Sequence, residues 1–306
     1  MERSLPGLDK QYGQRMTSSA EALSGKSHRD ENFPVASWLV RSEYRRPILA
    51  FYRFARAADD VADHPSLEAD QKLALLDRLG EALSGRGSGD PEAEPLRLAL
   101  SERGLAPRHA FDLLEAFRLD VSKRRYASWG ELMDYCRLSA MPVGRFVLDV
   151  HGEDPSTWRT SDPLCAALQV INHLQDCAAD YSRLDRVYLP QDTLASHGAA
   201  VDMLAATRSP PALLAAIREL AVRTAALLSD SAPLSGQVGN GRLALEIAAI
   251  QALAEHLTRR LARRDPLSEN VHLSKAASAA VAGLGVLRGL GSLLARPRRR
   301  NRTVRA

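Results

Sequence analysis

Two segments of this chain carry acids at the helical repeat on otherwise apolar stretches, and their pairing constrains the fold more than any other feature. In the first, Tyr52, Arg56, Asp59 and Asp63 stand at i, i+4, i+7 and i+11, one polar stripe along a helix. In the second, 117 residues further on, Gln169, Asn172, Asp176 and Asp180 stand at i, i+3, i+7 and i+11. Either stripe alone reads as an ordinary solvated face. Two of them, on helices apolar elsewhere, predict facing helices whose acids converge across a cavity. Unneutralised, those acids would repel strongly, so a divalent cation is the expected partner.

The rest of the chain reads all-α. Residues 1–29 lack a sustained period and read as a loose arm, and Asn32 to Trp38 opens the ordered chain with a short helix entered at Pro34. Helices are expected over 44–63, 67–83, 95–103 and 107–126. A further one over 129–151 must bend at Pro142 and Gly144. A polar loop is expected over 152–163, then the second acidic helix over 164–181, then long helices over 212–230 and 241–264. Leu243, Ile247, Ile250, Ala254, Leu257 and Leu261 make a core stripe on the last. No alternating β pattern, GxGxxG, P-loop or internal repeat is present.

Charge separates the ends from the body. The formal net charge is +4, yet Arg296, Arg298, Arg299, Arg300, Arg302 and Arg305 fall in the last eleven residues, which hold no acid, so the remainder carries −2. Nucleic-acid binding has only that tail behind it, without interleaved aromatics, and is not expected. Residues 276–295 are apolar, but Arg288 lies inside and four glycines weaken any helix. This stretch predicts surface contact with a membrane, not a span. Cys136, Cys165 and Cys177 show no C-x-x-C spacing and read as buried thiols. The N-terminus lacks the apolar core of a secretory signal, so a cytoplasmic protein is expected, with peripheral contact at the inner face of the membrane.

Asp59-Asp60-Val61-Ala62-Asp63 and Asp176-Cys177-Ala178-Ala179-Asp180, with Gln169 and Asn172 upstream and Arg186-Val187-Tyr188-Leu189-Pro190 downstream, resemble the squalene and phytoene synthase family. The likeness runs from about Glu31 to Ser274, because order, spacing and flanks agree together. Asn32-Phe33-Pro34-Val35-Ala36-Ser37, Phe54 to Asp60 and Asn172 to Cys177 are most similar to the branch that forms hydroxysqualene in bacterial hopanoid biosynthesis. Relatives place an arginine before the first aspartate of the second motif and a glutamate before its last. Gln175 and Ala179 stand there here, one cation and one anion fewer near a diphosphate.

The resemblance implies a single all-α isoprenoid synthase domain over 30–274 around a central active-site cavity, with 275–306 as an apolar segment and basic tail. It implies Mg2+ and an isoprenoid diphosphate substrate, namely presqualene diphosphate converted to hydroxysqualene with water ending the reaction. Presqualene diphosphate synthase and downstream hopanoid enzymes are the partners it suggests. Head-to-head prenyl transfer to presqualene diphosphate, squalene or a phytoene-like product stays open, as does a non-catalytic helical assembly protein keeping the fold.

Roles follow from side-chain chemistry. Asp59, Asp63, Asp176 and Asp180 are the expected metal ligands, with Asp60 ligating through water or orienting its neighbour. Arg56 is expected to grip diphosphate oxygens, and Arg183 or Arg186 to stand in for the cation missing at Gln175. Tyr52, Tyr126 and Tyr188 offer hydroxyls or π faces to a cationic intermediate. Gln169 and Asn172 are candidates either for holding diphosphate or for positioning water. Phe33, Phe51, Leu138, Ala140, Val143 and Phe146 are the expected apolar walls, and His173 is expected to be structural.

Overall fold

The computed structural model describes residues 41–294, apart from residue 88. The N-terminal arm, Phe33, Trp38 and the arginine tail lie outside the described residues. The first acidic segment folds as α1 (Ser42–Ala62), followed by α2 (Ala69–Leu83), α3 (Ala93–Arg103) and α4 (Arg108–Ser122). These four bury a common core in which Phe54, Leu76, Leu79, Leu96 and Leu114 are fully enclosed. Pro47 lies inside α1 and has no N–H to offer the carbonyl of Glu43; the guanidinium of Arg103 donates to that oxygen instead.

The expected helix over 129–151 is two helices. α5 (Trp129–Ser139) starts on Ser128, whose hydroxyl accepts from the amide of Glu131, and α6 (Met141–Val150) restarts with Pro142 in its first turn, where a missing N–H costs nothing. The second acidic helix is longer than expected. α7 (Trp158–Leu184) takes in residues 158–163, read above as loop, and tolerates Pro163 one turn inside. It stops where Asp185 adopts the left-handed conformation, φ 50°.

Beyond it stand α8 (Gln191–Ser196), α9 (Pro211–Ser231), the single turn α10 (Leu234–Gln237), α11 (Gly241–Leu261) and α12 (Lys275–Leu294). Helices α5, α7, α9 and α11 enclose a second core. Among the described residues there is no strand, only one isolated parallel bridge between Arg125 and Val187. That bridge, with amide bonds from Val187 to Arg124 and from Gln191 to Tyr126, ties the end of α7 to the loop after α4.

Helix directions set the depth of the molecule. Glu153 accepts from the amides of Gly239 and Asn240, and Thr160 donates to Gln237, so α11 begins beside the start of α7. Its following loop reaches Gln175 through the carbonyl of Val271 and Asp176 through His272. The two helices therefore run in the same sense, with the acids of α7 at the far end.

Candidate active site

Helices α1, α6, α7 and α11, with Phe117 of α4 and Leu234 of α10, enclose a cavity of about 370 Å³ between the two cores. The stripe read from the sequence lines it: Tyr52, Arg56 and Asp59 on α1 face the same space as Asn172 on α7. Phe51, Val143 and Phe146 form its walls as expected, with Phe51 and Phe146 stacked at 4.0 Å. Leu138 and Ala140 do not line it; α5 ends before the cavity and Leu138 packs on the core of α5, α7, α9 and α11. Gly144 lets α6 and α7 touch, since a Cβ there would collide with Ser161 and Cys165.

The acids gather beyond Asn172. Arg56 Nη1 donates to Asp59 at 2.7 Å and Nη2 lies 3.2 Å from Asp60, so the expected diphosphate grip is shared by two carboxylates of its own helix. Asp60 is buried against Arg56. Burial first, then the charge of Asp63, pushes the Asp59 carboxyl up to about 7. Asp180 is likewise pushed up to about 7, by burial and then by Asp176, with Asp63 adding to it across the interhelical space. The acids of the two stripes thus feel one another. Among the described residues no three histidine, cysteine, aspartate or glutamate side chains already form a metal cluster.

Arg186, expected to replace the cation missing at Gln175, is already engaged by neighbouring groups. It is buried, 3.0 Å from Asp63, donating to the Asp120 carbonyl at 2.9 Å and to the Tyr188 hydroxyl at 3.2 Å. Burial opposes its charge, but Tyr188, Asp120 and Asp63 more than offset that and hold it protonated. Gln175 itself is buried and donates to the carbonyl of Val271, so its side chain serves the loop before α12.

Tyr126 and Tyr188 differ from expectation as well. Both are buried in the core, stacked at 5.5 Å, outside the cavity wall. Tyr188 also stacks on His173 at 3.5 Å, and burial, then Arg186, pushes that imidazole down to about 3, which makes it a neutral packing group. Gln169 is half-buried on α7 and does not line the cavity, and Arg183 is exposed near the end of the same helix. Phe33 lies outside the described residues.

Sequence reasoning gave no site role to four groups. Asp120 is buried at the centre of the Arg186 network, accepting from Tyr135 at 2.7 Å, and burial pushes it up to about 6 despite Arg186. Lys72 of α2 reaches the same end, donating to the carbonyl of Ala62 with Asp63 in its field. Cys165, read as core filler, lines the cavity, and so does the buried Glu246. Asp120 and Glu246 each interrupt an apolar stripe at helical spacing, the signal that exposed Asp59, but neither has a second stripe to match.

An all-helical bundle around a largely apolar cavity, with acids on two helices close enough to act on one another, defines the class of isoprenoid synthases. The chain belongs to the squalene/phytoene synthase family, whose model matches residues 26–277. It is 58% identical to a hydroxysqualene synthase of Rhodopseudomonas palustris over 84% of this chain and 88% of that one. It is 49% identical to a hydroxysqualene synthase of Zymomonas mobilis over 85% and 88%. The crystal structure of squalene synthase HpnC from Alicyclobacillus acidocaldarius superposes with TM-score 0.66 at 30% identity, covering 87% of this chain and 92% of that one.

Proposed function

We propose that this enzyme converts presqualene diphosphate to hydroxysqualene, with loss of diphosphate and capture of the carbocation by water. The observation that carries the reading is the lining of the cavity: it is mostly apolar, with Arg56 and Asp59 of the first acid stripe, Asn172 of the second and Glu246 of α11 among its polar groups. A substrate with a diphosphate head and long isoprenoid tails matches that lining. The tails fill the space between Phe51, Phe146, Leu164, Leu168, Ile247 and Ile250, where a cation formed at the head is kept from bulk water.

The acid end fits a hard divalent ion. Crowded carboxylates that raise one another's pKa favour a cation among them, and Mg2+ binds through a few carboxylates plus substrate phosphates, not through a complete protein cage. Asp59, Asp63, Asp176 and Asp180 would hold it, and when bound it would supply neutralisation of the charge developing on the departing diphosphate. Asp60 holds Arg56 beside Asp59, which keeps a guanidinium at the head-group end. Tyr52 and Asn172 both line the cavity, and their polar groups would position substrate or water there.

Product analysis by mass spectrometry, with presqualene and farnesyl diphosphates offered separately, tests the reading. The expected result is a thirty-carbon alcohol from presqualene diphosphate with Mg2+ and without NADPH. Consumption of farnesyl diphosphate alone, giving presqualene diphosphate, squalene or a phytoene-like product, replaces it with head-to-head transfer.

A further inference from the structure

Helix α12 is apolar on its packed face and largely apolar on its outer face, where Arg288 is exposed beside Leu284 and Leu287. One face packs lengthwise on α11: a Cβ at Gly285 would meet the Ala248 carbonyl at 2.6 Å and Ala252 at 2.8 Å, and one at Gly289 would meet Ala248 at 2.8 Å. Glycine at these two positions is what lets the helices approach so closely. The opposite face points outward and carries Ala276, Ala280, Gly283, Leu284, Leu287, Leu290 and Gly291, all exposed. Leu284, Leu287 and Leu290 keep 58%, 64% and 40% of their accessible surface.

Over its 20 residues only Lys275 and Arg288 are charged, and α12 is more apolar on average than the other long helices. A helix apolar all round is ordinarily enclosed by protein or lipid. No helix among the described residues is long and apolar enough to cross a membrane. The sequence then adds six arginines and no acid between Arg296 and Ala306. Exposed leucines beside Arg288, followed directly by a polybasic stretch, match a surface that is apolar below and anionic above.

We propose that the outer face of α12 docks this enzyme on an anionic lipid surface, lying in the plane of the interface, with the charge of the basic sequence that follows adding attraction to phosphate head groups. The packing gives the docking a further meaning. The outer side of α11, Leu245, Ala248 and Ala252, holds α12, and its inner side, Leu243, Glu246, Ile247 and Ile250, lines the cavity. A docked α12 therefore leaves two helix layers between lipid and cavity, α12 itself and α11, with their axes about 8–10 Å apart. The inference concerns a surface and stands whichever isoprenoid diphosphate the cavity takes.

The test is cosedimentation of the full chain with vesicles. The protein is expected to sediment with vesicles of phosphatidylglycerol and phosphatidylcholine in equal parts, weakly with phosphatidylcholine alone, and less as salt rises, because basic segments are screened within a Debye length. Leu284→Glu with Leu287→Glu should lower the bound fraction at least about tenfold while leaving thermal midpoint and turnover of detergent-dispersed substrate unchanged. Leu284→Ala with Leu287→Ala should give an intermediate loss, which separates lost apolar contact from added charge. Undiminished binding of the Glu variant, or no binding by the parent chain, overturns the proposal. So does a parent dimer that the Glu variant converts to monomer, since a second copy would then cover this face.

Discussion

Asp59 is the residue at which sequence, electrostatics and proposed chemistry meet. Its carboxyl is pushed up to about 7 by burial and by Asp63, so its ionised form is disfavoured without a cation. Asp59→Asn should therefore separate activity from stability. Turnover should fall at least about 100-fold, the scale of losing one electrostatic stabiliser of a transition state, and Asp176→Asn should behave alike. The unfolding midpoint of Asp59→Asn at pH 8 without metal should stay level or rise, because Arg56 keeps Asp60. A drop in both would mark Asp59 as structural. The pH dependence follows from the same groups. A folded pKa above the unfolded value means the folded chain holds protons that the unfolded chain has released, so stability is lost as pH rises through the folded value. For Asp59 and Asp180, raised from 3.8 to about 7, that loss runs from about pH 4 to pH 7 and is nearly complete at pH 8, while His173, pushed down from 6.5 to about 3, acts in the opposite sense below about pH 6.5 and offsets part of it. Thermal unfolding of the metal-free protein should fall across that window. Mg2+ should raise the midpoint more at pH 8 than at pH 6.5, since it needs the carboxylates deprotonated. Equal metal effects at both pH values would remove these acids from the metal site.

At the scale of elements, the contact between α6 and α7 is set by one missing side chain. Gly144 faces Ser161 and Cys165 so closely that Gly144→Ala must push the helices apart, an overpacking worth about 1–3 kcal/mol. A lower thermal midpoint together with weaker substrate binding is expected, because both helices line the cavity; an unchanged midpoint would show that the helices separate freely. Periodicity makes helices such as α1, α2 and α11 legible, since each buries one apolar face while the other stays largely polar. It misses the first turns of α7, where Arg159, Thr160, Ser161, Asp162 and Pro163 read as loop although Ser161 is buried against α6. It also joins α5 to α6, because Pro142 reads as a bend when it is the first turn of a new helix. The acid stripes were legible because each repeats the other. The Arg186 network was not: Asp63, Asp120, Tyr135 and Tyr188 come from four separate segments, and only the fold brings them to one guanidinium.

The molecule as a whole is two cores with the cavity between them. One is built from α1 to α4 and the other mainly from α5, α7, α9 and α11, and α6 joins both through Phe146 and Leu148. A ligand spanning the cavity contacts α1 from the first and α7 and α11 from the second, so it should staple the halves more strongly than a ligand confined to the acid end. Farnesyl thiodiphosphate, which keeps head and tail but resists ionisation, offers that comparison. With Mg2+, at about 100 times its dissociation constant, it should add about 2.7 kcal/mol to unfolding and raise the midpoint accordingly. Inorganic diphosphate with Mg2+ reaches the acids alone, and farnesol the apolar walls alone. Each, at the same concentration, should fall well short. If inorganic diphosphate matched the thio analogue, the tail would gain nothing from the apolar walls, and the cavity would not be the isoprenoid site. If farnesol matched it, the two acid stripes would not be the head-group site. Only a response that needs both ends and the metal together is expected if the cavity takes one diphosphate with its tails, as proposed.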